Sequence, residues 1–208
     1  MVEKEIAGKM ILVSQILLRT LELAYQGFRT LDQELFAEAE NAVEEARMHM
    51  SELTRLLISK CVSSEKEQER ECIKRFLPLS SCYGRMTYNM DGIMDRLRKM
   101  VREGIPFSDR GSREISEIFG ATIQILKSLP DLILTQNELL VEHNEERAKT
   151  LFKTANACAE EHEMRLIEGL CAPKASPIYL GFMESLKAIA SHSLEIGKKI
   201  ISLPSHSW

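Results

Sequence analysis

Apolar residues recur along this chain at steps of three and four, the spacing that lines one face of a helix. The longest run is Phe76, Leu79, Tyr83, Met86, Met90, Ile93, Leu97 and Met100, with steps of 3, 4, 3, 4, 3, 4 and 3. A sustained seam of that kind packs a helix into a bundle. Met10, Val13, Leu17, Leu21, Ala24 and Phe28 form a second stripe, and Ile115, Ile118, Thr122, Ile125 and Leu129 a third. Between stripes the chain breaks at 104–112, which holds Gly104, Pro106 and Gly111, and at 171–177, which holds Pro173 and Pro177. A softer break follows Val62, where Ser63 and Ser64 precede Glu65 and Glu67 as they would at a helix first turn. The pattern predicts six helices, at about 3–28, 31–61, 65–103, 112–143, 145–170 and 177–201, and no strand. Pro130 should bend or end the fourth. At Pro78 either a helix begins or a long helix kinks.

The second half rhymes with the first. Ala42, Ala46, His49 and Leu53 recur 113 residues later as Ala155, Ala159, His162 and Leu166. Tyr83 and Ile93 recur 103 residues later as Leu186 and Ile196. The expected fold is all-α: two tandem three-helix bundles, residues 1–104 and 105–208, packed as one elongated domain. The small stripe Ala39, Ala42 and Ala46 would let neighbouring helices approach closely.

Composition narrows the function. Apolar residues make up 44% of the 208 and charged residues 28%, enough for a real core on a water-compatible chain. The net charge of −4 argues against nucleic acid as a partner. Stretches without a charged side chain, such as 10–18 and 76–84, run nine residues, against the ~20 of a membrane helix, so no direct membrane insertion is expected. The N-terminus, Val2-Glu3-Lys4-Glu5, has no apolar signal core. Five widely spaced cysteines without a CxxC read as reduced thiols, and the expected location is cytoplasmic. No P-loop, GxGxxG, HExxH or nucleophile elbow is present, so a binding or regulatory module is expected rather than an enzyme.

The candidate metal ligands are Glu45 with His49, Cys158 with His162, and His192. Each of the first two pairs is spaced i, i+4, which puts both side chains on one helix face. The alternatives are an ordinary surface pair at Glu45 and His49 and a small buried filler at Cys158. The cluster Glu160-Glu161-His162-Glu163 reads as a solvated face, with a hard cation as the alternative. Met86, Met90, Met94 and Met100 read as core filling or as an adaptable partner groove. Arg96, Arg98, Lys99 and Arg102 complement a helix C-terminus, with an anionic partner as the alternative. The ExxH spacing of di-iron bundles is missing before His49, His162 and His192; Glu195 follows His192 by three, the reverse order and on one helix only.

Two segments carry a family resemblance. The third expected helix reads Tyr83-Gly84-Arg85-Met86-Thr87-Tyr88-Asn89-Met90-Asp91-Gly92-Ile93, and the sixth reads Leu186-Lys187-Ala188-Ile189-Ala190-Ser191-His192-Ser193-Leu194-Glu195-Ile196. With the tandem helical repeat, these resemble the PhoU family, whose third helices carry a segment like L-E-R-I-G-D-H-A-x-N-I. Arg85, Ile93, Leu186, Ile189, His192 and Ile196 match it. The resemblance implies a regulator of phosphate uptake or signalling, free-standing or as the domain of a sodium–phosphate cotransporter. It implies docking on a phosphate transporter or sensor protein, and His192 as either a ligand or a core hydrogen-bond donor. A homodimer is expected on separate grounds, because the seam on the third helix and the leucines on the first and fourth exceed what one three-helix unit can bury. The family's metal-holding acidic pairs fall on Gly84 and Tyr88 and on Lys187 and Ser191, so no cofactor is carried over. If those positions face the old metal groove, Tyr88 should fill it, and Lys187 should pair with Glu160 or Glu163. The alternatives are a metal-binding helical-bundle protein or enzyme, and a general helical adaptor.

Overall fold

The computed structural model describes residues 2–203. Six long helices carry the fold: α1 (Val2–Thr30), α2 (Gln33–Ser63), α4 (Leu77–Arg102), α5 (Asp109–Lys127), α7 (Glu138–Ile167) and α8 (Ser176–Ile201). Two short ones, α3 (Glu67–Lys74) and α6 (Leu129–Thr135), and a 3-10 turn at Pro173–Ala175 complete the described residues, among which there is no strand. The ends of the two expected units, residue 1 and residues 204–208, lie outside the described residues.

The caps explain the boundaries. The Asp32, Ser108 and Asn137 side chains accept from the N–H groups of Glu34, Gly111 and Leu139 at 2.8, 3.1 and 3.0 Å, opening α2, α5 and α7. Gly104 closes α4 with φ +57°, a left-handed value that glycine adopts without strain. Three boundaries differ from the sequence reading. The expected helix 65–103 is two, because α4 starts at Leu77 with Pro78 in its first turn, where a missing N–H costs nothing. Pro130 likewise starts α6 and ends α5 at Lys127. The expected boundary near 144 lies at Gln136 and Asn137: Gln136 turns left-handed (φ 50°) and Asn137 caps the next helix.

Helices α1, α2 and α4 pack as one bundle and α5, α7 and α8 as the other; α4 lies on α8, and α1 on α5 and α6. All three predicted stripes are buried, and so are all four methionines of α4, Met86, Met90, Met94 and Met100. Burial also fixes the repeat register. The N-caps Asp32 and Asn137 are 105 residues apart. That offset sends buried Phe36, Ala39, Val43, Ala46, Leu53 and Leu57 onto buried Val141, Asn144, Ala148, Leu151, Cys158 and His162. It also sends Met10, Val13, Leu17 and Leu21 of α1 onto Ile115, Ile118, Thr122 and Leu126 of α5. Between α4 and α8 the offset is 103, and buried Leu79, Cys82, Tyr83, Met86, Ile93 and Leu97 map onto buried Phe182, Ser185, Leu186, Ile189, Ile196 and Ile200. The 113-residue match of His49 with His162 is therefore two turns out of register. Leu57 is the structural counterpart of His162, and Thr154 that of His49.

The two bundles are joined by aromatic rings. Phe119 of α5 stacks on Tyr25 and Phe28 of α1 at centroid distances of 5.4 and 5.9 Å and meets Phe182 of α8 at 5.9 Å. By length and composition the segment Asp109–Thr135 is apolar enough to cross a bilayer. In the fold it is two helices meeting at Ser128, with Ile115, Ile118, Phe119, Ile125, Leu126, Leu129, Leu132 and Ile133 buried among their neighbours, so its hydropathy belongs to the core.

Candidate functional site

The sequence-predicted ligands do not converge. Glu45 turns to Arg19 at 3.7 Å, while His49 faces Glu52 at 3.3 Å, which in turn holds Lys9 at 3.0 Å. Cys158 is buried, and its carbonyl accepts from the Tyr179 hydroxyl at 3.3 Å. His162 is buried, with Nε2 at 3.0 Å from the Ser176 hydroxyl and its ring stacked on Tyr179 at 4.2 Å. Among the described residues, one group of three or more His, Cys, Asp or Glu side chains has its ligand atoms in mutual reach: Cys82, His192 and Glu195, all within 4.8 Å of one another. His192 is thus the one predicted ligand that gains company. Cys82 and Glu195 were not among the predicted ligands.

This group sits on the seam between α4 and α8. Cys82 reaches across from α4; His192 and Glu195 stand one turn apart on α8, with His192 Nδ1 at 3.5 Å from Glu195 Oε2. Nδ1 is buried and makes no hydrogen bond. Lys199 holds the other oxygen, Glu195 Oε1, at 3.2 Å. Burial, reinforced by the Glu195 carboxylate beside it, pushes the Cys82 thiol up to about 11. Burial works to raise the Glu195 carboxyl, but hydrogen bonds from Lys199 and Cys82 outweigh it and hold the group below the usual range.

The seam has a second end, related by the 103-residue offset. There Ser185, Asn89, Gly92 and Arg96 stand for Cys82, His192, Glu195 and Lys199. Arg96, expected as a partner for the helix C-terminus, turns into the seam instead. Its Nη1 donates to the Ser185 hydroxyl at 3.2 Å and to the Gly92 carbonyl at 2.5 Å. A Cβ on Gly92 or Gly181 would run into this guanidinium, so both glycines make room for it.

The second bundle also holds a buried polar network. Glu114 of α5 accepts from Arg165 of α7 through both oxygens at 3.0 and 2.7 Å, from Tyr179 at 2.5 Å and from Arg110 at 2.9 Å. Burial would raise the Glu114 carboxyl; the hydrogen bonds from Arg165, Tyr179 and Arg110 more than offset it and hold the group low. The counterparts in the first repeat of His162 and Tyr179 are Leu57 and Phe76, both buried and apolar. A cavity of about 270 Å³ opens beside His162, Ser108, Cys171 and Tyr179, and a larger one of about 770 Å³ lies between Tyr25, Arg29, Phe107 and Arg113.

No family profile matches the chain, and no curated protein sequence does. Solved structures do. PhoU from Pseudomonas aeruginosa superposes with a TM-score of 0.86 over 96% of this chain and 95% of that one, at 13% identity. The chain has the PhoU fold. A PhoU-like protein from Shewanella oneidensis is more distant, with a TM-score of 0.52 over 95% and 98% of the two chains at 10% identity. On this PhoU fold the four positions of the acidic pairs do not suit a metal. Tyr88 is 76% exposed and fills no groove, and Ser191 is exposed as well. Lys187 reaches Asn156 at 3.0 Å and Glu184 at 2.6 Å, rather than Glu160 or Glu163. Glu160 lies one turn further along α7 than the side chain Lys187 meets.

The buried imidazole makes stability pH-dependent. Burial, then the Arg165 charge, lowers the His162 pKa against weaker opposing effects of Glu114 and Glu163. The unfolded chain therefore binds the proton more readily. The stability that the neutral ring contributes is complete above about pH 6.5 and is lost as pH falls through the lower folded value. His162→Leu, the residue type of its counterpart Leu57, is expected to flatten this loss. Urea midpoints at pH 7.5, 6.5 and 5.5 check it; equal slopes in both proteins would refute it.

Proposed function

We propose that the chain is a PhoU-like regulator of phosphate uptake or phosphate signalling, acting in the cytoplasm by docking on a phosphate transporter or sensor protein and not by catalysis. The observation that carries this reading is the superposition on PhoU from Pseudomonas aeruginosa across nearly the full length of both chains. The segment resemblance at Arg85, Ile93, Leu186, Ile189, His192 and Ile196 supports it from the sequence side. Self-association into a homodimer is part of the same proposal. A tagged chain recovered from phosphate-rich and phosphate-starved cells should bring down a phosphate-transport or sensor subunit in an amount that changes with phosphate. Deleting the gene should alter phosphate uptake. Unchanged uptake, with no such subunit recovered in either condition, would overturn the reading. A metal-binding bundle is the second reading, favoured by the group at Cys82, His192 and Glu195.

A further inference from the structure

We propose that Cys82, His192 and Glu195 form a zinc site that pins α4 to α8, with three protein ligands and a fourth position open to water. The site goes beyond the docking reading and stands whether or not the chain acts in phosphate control.

The spacing suits the ion. Zinc takes sulfur at about 2.3 Å and nitrogen or carboxylate oxygen at about 2.0–2.2 Å in a tetrahedron, which sets ligand atoms about 3.3–3.8 Å apart. His192 Nδ1 and Glu195 Oε2 already stand at 3.5 Å. All three ligand atoms lie within 4.8 Å, so modest rotations about the side-chain bonds close the set. The donors are one thiol, one imidazole and one carboxylate. That mixture suits zinc and excludes calcium and magnesium, which take oxygen alone.

The surroundings supply independent support. The buried His192 Nδ1 has no hydrogen-bond partner, an arrangement that costs free energy unless something occupies it. Lys199 holds Glu195 Oε1 and leaves Oε2 to the cluster, the usual division between an outer partner and a metal-binding oxygen. The other end of the seam acts as an internal control. There the place of the Glu195 side chain is taken by the Arg96 guanidinium, bonded to Ser185, the counterpart of Cys82. At one end a guanidinium fills the seam, and at the other a thiol, an imidazole and a carboxylate converge, with Lys199 held on the outer carboxylate oxygen.

Access fits an exchangeable ion. Cys82 is fully buried, whereas the His192 and Glu195 side chains are 16% and 37% exposed, so the open position faces solvent. Cys82 and His192 lie about 100–160° around their helices from positions 84, 88, 187 and 191, toward the seam, whereas Glu195 stands one turn after Ser191. On binding, the Cys82 sulfur gives its proton to solvent as the Zn–S bond forms, and nothing is oxidised or reduced.

Zinc titration of the purified full-length chain against a competing chelator tests the site, alongside Cys82→Ser, His192→Asn and Glu195→Gln, each checked for helix content. Wild type should take up one zinc per chain and melt at a higher temperature with it, since the ion binds the folded state alone. Cys82→Ser and His192→Asn should each bind at least about 100-fold more weakly, and Lys199→Met about 10-fold more weakly. Cobalt should give wild type a thiolate-to-metal charge-transfer band that Cys82→Ser lacks. Zinc affinity equal in wild type and Cys82→Ser, or a cobalt complex of wild type without the thiolate band, overturns the proposal. The cobalt measurement needs only the wild-type protein, so a variant that fails to fold does not shield the idea.

Discussion

Phe119→Ala is expected to destabilise the protein by about 3–5 kcal/mol, the range for removing a buried phenylalanine ring. At roughly 2–4 °C per kcal/mol for a chain of this length, the melting temperature should fall by about 6–20 °C. The ring is fully buried and touches Tyr25, Phe28 and Phe182. Those contacts belong to α1 and α8, so the loss falls on the junction of the two bundles as well as on the second core. Urea unfolding measures it. A change below about 1 kcal/mol, the size of a surface substitution, would mean that the aromatic junction is not what holds the bundles together.

Arg165→Met should be comparably severe for a different reason. The Arg165 and Glu114 side chains are 11% and 10% exposed, so the substitution removes two N–H donors from a poorly solvated carboxylate and leaves it Tyr179 and the half-exposed Arg110. Breaking such a pair from one side costs about 3–5 kcal/mol, whereas replacing both members by apolar groups is often close to neutral. The double variant Glu114→Leu/Arg165→Met should therefore recover much of what the single variant loses. A double variant as unstable as the sum of the two singles would show that the pair acts independently of its burial.

Much of this fold is legible in the sequence because helix periodicity is a local signal repeated many times. The seam from Phe76 to Met100 is apolar at each core position, and each of those positions is buried. The break at Gln136 and Asn137 is harder to read, because no glycine or proline marks it and a left-handed glutamine leaves no trace in the pattern. The repeat register between α2 and α7 fails in the sequence for a related reason. Alanines and leucines recur every turn, so an offset two turns out still pairs like with like, and only burial separates Leu57 from His49 as the counterpart of His162. The metal group is half visible. Glu195 three residues after His192 is a local spacing, but Cys82 is on another helix, and nothing near it in the chain marks it as a ligand. Arg96 is misread on the same grounds, since a charge near a helix end looks like a dipole partner until the neighbouring helix is in place.

The contact between α4 and α8 obeys a reciprocal rule: Cys82 meets the residues at 192 and 195, while Ser185, its counterpart, meets Gly92 and Arg96. Two separate copies of one three-helix unit would meet in this way about a twofold axis, and there every substitution would appear at both ends at once. A cysteine at one end would impose a cysteine at the other, and so would an arginine. Covalent continuity through residues 103–108 removes that constraint. Each end of the seam can then specialise alone, one filling itself with a guanidinium and the other gathering a thiol, an imidazole and a carboxylate. The asymmetry of this protein is thus something a symmetric pair of identical chains could not have evolved.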